Sequence, residues 1–253
     1  MNIVNLQNKE VVNTMTPAVT VGARYSMART SDILEVLEGH GWNAVDYRER
    51  RVLSEERRGK QAHTIVLSNS HYEDGSTRPR IMVKNSHDGS GSLQFLAGMY
   101  EMICANGLLV GATASDIRIR HLNLTESKIL GGIETATTNL HKAITLVESM
   151  RSISLDPYQQ IEMAQEAVGL AYDTDKYAIN PAHLLFNHRR DQRVPTLWNT
   201  FNTIQERIVR GGVEQRREDG SRIRSRAISS IDRSIKVNRA LWDLAENRLQ
   251  MWQ

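Results

Sequence analysis

The dominant hydrophobic period of this chain shifts near residue 124, and that shift constrains the fold more than any single motif. Before it, short apolar runs alternate with a period of two, as in Ile65 and Leu67, Ile81 and Val83, Ile117 and Ile119. Alternation of this kind puts successive side chains on opposite faces and reads as strands. After it, apolar residues recur every three or four positions, the spacing of helices packed along one face. A sheet-forming stretch followed by a helical half is an α+β arrangement. It divides into an α+β domain at 17–123 and a helical region at 124–253.

Within the first half, residues 1–16 are polar, lack periodicity and read as a flexible tail. A short strand is expected at 18–25. Thr30-Ser31-Asp32 reads as the cap of a helix over 33–38, stopped by Gly39 and Gly41. Strands follow at 42–53, 63–68 and 80–84, separated by charged or Gly/Ser/Pro-bearing turns. Leu93, Leu96, Tyr100 and Ile103 lie at helical spacing, so a helix is expected over 91–104, ended by Asn106-Gly107. A last strand covers 116–122. The predicted order is α-β-β-β-α-β, an antiparallel sheet backed by helices.

In the second half, a long helix is expected over 125–151, weakened by Gly131-Gly132, and Asp156-Pro157 opens another that runs to about Tyr172. Pro181 starts a short helix through Arg190. Pro195-Thr196 opens one that ends at Gly211-Gly212. From Ile228 the chain repeats Ile231, Ile235, Asn238, Trp242, Ala245 and Leu249, a heptad-like seam with one polar position. That seam serves either packing within the chain or self-association into a homo-oligomer.

Between the last two helices lies Val213-Glu-Gln-Arg-Arg-Glu-Asp-Gly-Ser-Arg-Ile-Arg-Ser-Arg226, a basic β-hairpin inserted at 213–226. Asp219-Gly220 signals a two-residue type I′ turn, because both central residues need φ > 0. That turn pairs Arg217 with Arg222, Gln215 with Arg224 and Val213 with Arg226. Arg217, Arg222, Arg224 and Arg226 then share one face, and Arg216, Glu214, Glu218 and Ile223 the other. Like charges so close destabilise a free hairpin. The arrangement reads either as a solvated loop or as a phosphate-backbone contact, with Arg216 and Arg210 as further candidates.

Charge placement favours the contact. Residues 189–248 hold 14 Lys and Arg against 8 Asp and Glu, while the remainder holds 18 against 21, so a net charge of +3 conceals a basic C-terminal third. One cysteine, Cys104, excludes an internal disulfide framework and fits a reducing compartment. The N-terminus lacks a basic segment followed by an apolar one, so no signal peptide is expected. No stretch approaches 18 apolar residues, so no membrane span is expected either. The expected location is the cytoplasm.

Chemistry-bearing motifs are sparse. Ser86, His87, Asp88, Gly89 and Ser90 precede Gly91-Ser92 at an expected strand-to-helix junction, where N–H groups suit a turn or an anion. His87 beside Asp88 suggests an acid–base pair, but neighbours in an extended segment point apart. The eight histidines, at 40, 63, 71, 87, 121, 141, 183 and 188, show no metal-ligand spacing, and there is no Cys pair. Cys104 has no evident base and reads as a small apolar thiol. No metal, cofactor or catalytic constellation is expected.

Asn85-Ser-His-Asp-Gly-Ser90 followed by Cys104-Ala-Asn-Gly-Leu108 resembles the signature of the phage- and plasmid-borne domain-of-unknown-function family 932. Residues 197–213 and Asn238-Arg-Ala-Leu-Trp242 resemble its C-terminal motifs. The resemblance spans about residues 20–250 and implies a mobile-element origin in a bacterial host, with no activity attached. The order helix, three strands, helix also resembles the core of single-strand annealing recombinases of the RecT, Red-beta and Erf type. That resemblance implies a groove for single-stranded DNA and assembly into rings or filaments. The leading expectation is thus a non-enzymatic, oligomeric, phage-type protein that binds single-stranded DNA and supports recombination. Trp42, Tyr47 or Tyr72 would supplement the arginines by stacking, although aromatics are only 6% of the chain. The alternative is an enzyme or host-defence antagonist with a pocket built by His87, Asp88, Cys104 and Asn106.

Overall fold

The computed structural model describes residues 3–72, 78–102, 109–186 and 194–252. The chain divides into two compact units, Met1–Met99 with Ala114–His141, and Tyr100–Thr113 with Lys142–Gln253.

The first unit is built on a meander of five strands in spatial order β1-β2-β3-β4-β5. They are β1 (Asn43–Glu49), β2 (His63–Ser68), β3 (Pro79–Asn85), β4 (Leu93–Met102) and β5 (Leu109–Ile119), and the first three pairings are antiparallel. A bulge between Ala44 and Asp46 interrupts the β1–β2 register. Ile65, Leu67, Ile81, Val83, Leu93, Phe95 and Ala97 turn one face toward α1 (Glu10–Asn13), α2 (Thr30–Gly39) and the first half of α3 (Glu126–Ser152). That face forms a single core with Val11, Val12, Ile33, Leu37, Ile133, Ala136 and Leu140.

The α+β class holds, and several elements differ from expectation. The stretch expected as a helix over 91–104 is strand β4 as far as Met102. Every residue from Leu93 to Met99 is buried, Gln94 included, so both faces of the strand are covered and the period-two contrast that marks a half-exposed strand is missing. The element order on which the likeness to annealing recombinases rested is therefore not the observed one. The expected tail at 1–16 carries α1, whose Val11 and Val12 are 0% and 2% exposed, and the Val4 N–H donates to Ala44 O. Residues 18–25 form turns rather than a strand, joined to the sheet region by a bridge from Tyr25 to Leu122 and a backbone bond from Ala18 N–H to His87 O. Thr30 lies inside α2 instead of capping it. The cap position is Arg29, whose guanidinium carries no acceptor and makes no cap bond, and the Thr30 hydroxyl is engaged elsewhere.

The second unit is helical. Asp156 caps α4 (Pro157–Ala171) with a full capping box, in which Gln159 returns a bond to the Asp156 N–H. A 3-10 turn at Pro181–Leu184 replaces the start of the helix expected there, and residues 187–190 lie outside the described ones. Thr196 caps α5 (Leu197–Arg210), and α6 (Ile231–Trp252) packs against both α4 and α5. Ile228, Ile235, Trp242, Ala245 and Leu249 of the heptad-like seam are buried, and Asn238 accepts a 2.8 Å bond from Gln205 across to α5. The seam is thus filled by this chain's own helices. Arg248, 5% exposed, bonds Glu162 and Glu166 of α4 and lies over the Trp252 ring. Among the described residues no helix is long and apolar enough to cross a membrane.

Candidate functional site

Strands β6 (Glu214–Arg216) and β7 (Arg222–Arg224) form the expected hairpin, one residue out of the expected register. Glu214 pairs with Arg224, Gln215 with Ile223 and Arg216 with Arg222. The Gly220 N–H donates to Arg217 O and the Arg217 N–H to Ser221 O, and Gly220 has φ of 81°. These are the marks of a three-residue loop with glycine in the left-handed position, not of a two-residue turn. The Ser221 hydroxyl and then the Ser221 N–H, both donating to the Asp219 carboxylate, hold it below the usual carboxylate range.

The register sets the faces. Val213 and Gln215 are buried and Ile223 and Ser225 half-buried, while Arg216, Arg222, Arg224 and Arg226 are exposed on the opposite side. Arg216 therefore joins the arginine face and Arg217 leaves it. Within the face, Arg222 meets Glu214 at 3.6 Å. Arg210 sits at the end of α5, paired with Glu206 at 3.0 Å.

The hairpin is fastened to the helices along its length. Ala178 exchanges backbone bonds with Arg216 at 2.8 and 2.9 Å, and the Ile228 N–H reaches Val209 O at 2.9 Å. Gly211 ends α5 with φ of 73°, and a Cβ there would lie 2.5 Å from the Arg226 carbonyl carbon, so glycine permits the two hairpin stems to cross. Beneath the hairpin lies a cleft of about 390 Å³ bordered by Tyr172, Asp173, Tyr177, Arg217, Arg224, Arg226 and Arg233. Among the described residues no hydrogen bond or ion pair engages these four guanidiniums. Burial pushes the Tyr172 phenol up, so it stays a hydrogen-bond donor at neutral pH.

The Ser86–Ser92 loop has a different character. It joins two strands, β3 and β4, rather than a strand and a helix. Its N–H groups are taken by the chain itself: Ser86 donates to Asn85 Oδ1, His87 to Lys60 O, Ser90 to Asp88 Oδ1 and Gly91 to Ser86 Oγ. Little remains there for an anion. His87 and Asp88 do not pair.

His87 instead enters a buried knot with Thr30, His63 and Asn85, all four 0% exposed. His63 Nδ1 lies 3.0 Å from Gln61 O and so carries the proton, leaving Nε2 to accept from the Thr30 hydroxyl at 2.9 Å. That hydroxyl has then given its only hydrogen. Its lone pairs accept from His87 Nε2–H at 3.2 Å and from Asn85 Nδ2 at 2.9 Å. Every bonding position of Thr30 Oγ1 is filled. Burial, with His63 and His121 nearby, pushes His87 down to about 3, and burial also lowers His63, so both rings are neutral at pH 7. Tyr25 stacks on His121 at 4.8 Å and donates to Ser86 O, which ties the loop to the chain before α2.

Other sequence candidates fall elsewhere. Trp42 is buried and stacked on Tyr72 at 5.6 Å, and the Lys9 ammonium lies over the Tyr47 ring, 5.1 Å from its centroid. Asn106 and Cys104 lie outside the described residues. Among the described residues no group of three or more His, Cys, Asp or Glu is placed to hold a metal ion. Sequence reasoning missed Thr30 and His63 in the knot, and Tyr172, Tyr177 and Arg233 at the cleft. No spacing rule joins residues 33 or 57 positions apart.

A profile of the domain of unknown function DUF932 matches residues 18–242. Two proteins of Escherichia coli strain K12 are each 30% identical over 230 residues, covering 91% of this chain and 84% of their own length. They are the UPF0380 protein YfjQ and the UPF0380 protein YafZ. No solved structure matches this chain.

Proposed function

We propose that this chain, which belongs to the DUF932 family of domains of unknown function, binds single-stranded nucleic acid through the arginine face of its hairpin. The observation that carries the reading is four exposed arginines, Arg216, Arg222, Arg224 and Arg226, on one face of a fastened hairpin, with a single loose ion pair on that face among the described residues. A polyanion would relieve the repulsion between Arg216 and Arg222, which stand directly opposite each other. From Arg222 to Arg226 the strand spans about 13 Å, a length that meets the phosphates of a few nucleotides and no more. Arg224 and Arg226 adjoin a cleft with two tyrosines, which supplies ring surface beside the charge as single-strand sites require. The enzyme alternative loses support because the His87 ring is 0% exposed, with its Nε2 and the loop's N–H groups engaged by the chain itself.

The test is a salt titration of binding to a fluorescent oligodeoxythymidylate. If all four arginines meet phosphates, the slope of log K against log salt shrinks by up to about 0.7 per arginine removed, roughly 3 in all, in R216A/R222A/R224A/R226A. No binding by the parent at low salt, or an unchanged slope in the folded variant, defeats the proposal.

A further inference from the structure

We infer that the cleft beneath the hairpin is a pocket for a terminal phosphate monoester, holding the phosphorylated end of a nucleic-acid strand or a free mononucleotide. The inference rests on the nucleic-acid reading for its ligand class but on different residues for its site.

The cleft has the size of a ligand site, since about 390 Å³ lies within the ~300–1,000 Å³ usual for small-molecule pockets. Four of the five charged residues at its border are cationic. Arg217, Arg224, Arg226 and Arg233 contribute to it from the loop, from β7, from the stem and from α6, and none has an ion-pair partner among the described residues. The carboxylate at the rim, Asp173, is bound to Lys176 at 2.8 Å, so it does not neutralise the arginines. The guanidiniums of Arg217 and Arg233 offer forked donors that match phosphate oxygens, with Arg224 and Arg226 adding positive charge at the border.

A monoester fits this concentration of charge better than an internal phosphodiester. A diester carries one negative charge, and a monoester carries up to two with three terminal oxygens to bond. The outer face of the hairpin suits a passing backbone; the cleft, floored by buried Gln215 and Ile208, is a place for something that ends. Tyr172, held as a neutral phenol, donates to a phosphate oxygen, and Tyr177 at the same border offers a ring to the attached nucleoside.

The two sites share Arg224 and Arg226 and are separable through the others: Arg216 and Arg222 belong to the face alone, Arg217 and Arg233 to the cleft alone. Binding is measured for a twelve-residue oligodeoxythymidylate carrying a 5′-phosphate, a 3′-phosphate or hydroxyls at both ends, with thymidine monophosphate as a separate ligand. At least one phosphorylated strand is expected to bind about tenfold more tightly than the hydroxyl-ended one. R217A/R233A is expected to abolish that preference while leaving affinity for the hydroxyl-ended strand and its salt slope unchanged. Thymidine monophosphate that binds the parent as tightly as the preferred strand, and is lost in R217A/R233A, assigns the cleft to a mononucleotide and sustains the monoester pocket. Equal affinity for all three strands with no binding of thymidine monophosphate overturns the pocket, as does a preference that survives in folded R217A/R233A. Failure of every strand to bind defeats the strand reading instead, and thymidine monophosphate then decides the cleft by itself.

Discussion

In the N-terminal unit, Asn85, Ser86 and His87 are no more than 1% exposed and bonded to their own chain; in the C-terminal unit, the arginines of the hairpin stand in water with one 3.6 Å ion pair on their face. Both segments attract notice in the sequence because they crowd polar residues around glycine. They differ in what satisfies those residues. The Thr30 hydroxyl donates once and accepts twice, so its own bonding is complete, and the ring nitrogen left without a partner among the described residues, His87 Nδ1, is buried away from solvent. The hairpin is open: among the described residues Arg222 alone of its four outer cations meets a carboxylate, Glu214 at 3.6 Å. A polar motif marks a binding site only where its hydrogen-bonding and charge remain unmet after folding, and that is visible in the partners rather than in the residue types.

Three measurements break or sharpen this contrast. The largest effect is expected from Thr30→Val, which keeps the shape but removes the atom that serves three partners. Leaving His63, His87 and Asn85 short of a partner in the core is expected to cost about 3–4 kcal/mol in urea unfolding. A loss under about 1 kcal/mol would mean that water reaches the knot, and the contrast with the hairpin would fail.

The second concerns pH. His87 has a folded value of about 3, below its ordinary 6.5, so the unfolded chain takes up a proton as pH falls through 6.5 while the folded chain does not until about 3. Stability is therefore complete above about pH 6.5 and declines as pH drops through that window, by up to about 1.4 kcal/mol per pH unit for this ring. At pH 5 the expected deficit is about 2 kcal/mol, with His63 adding in the same direction. The unfolding free energy at pH 7 and pH 5 checks it, and a flat profile would show that the rings are not held neutral.

The smallest effect is expected from the hairpin itself. R216A/R222A/R224A/R226A should change folding stability by no more than about 0.5 kcal/mol per site, since these side chains are exposed and two of them repel. A large destabilisation would assign the arginines to structure and remove the distinction between the two units.

Much of the architecture was legible, and the failures have definite causes. The boundaries of α4 and α5 followed from Asp156-Pro157 and Thr196, because capping chemistry is local. The seam of α6 was readable as apolar, but periodicity names a face and not its occupant, which proved to be α4 and α5. Strand β4 was misread because burial on both sides erases alternation. Asp219-Gly220 placed the hairpin correctly without fixing its loop length, since glycine with φ > 0 serves two-residue and three-residue loops alike. For the sites, the arginine face was recovered in three of its four members, Arg216 being exchanged for Arg217. The cleft was not legible at all, as its border draws on α4, α5, α6 and the hairpin.

The three-residue loop between Arg217 and Ser221 also bears on how such a surface changes over evolutionary time. The first strand cannot move, because Val213 is wholly buried and Arg216 is bonded to Ala178. Deletion of one loop residue would therefore act on the second strand, rotating Arg222 and Arg224 inward and Ile223 outward. A single codon lost or gained at the tip is thus equivalent to several simultaneous substitutions along β7. Lineages that drift in arginine content while keeping the loop length retain a cationic surface in some form; lineages that alter the loop lose it in one step.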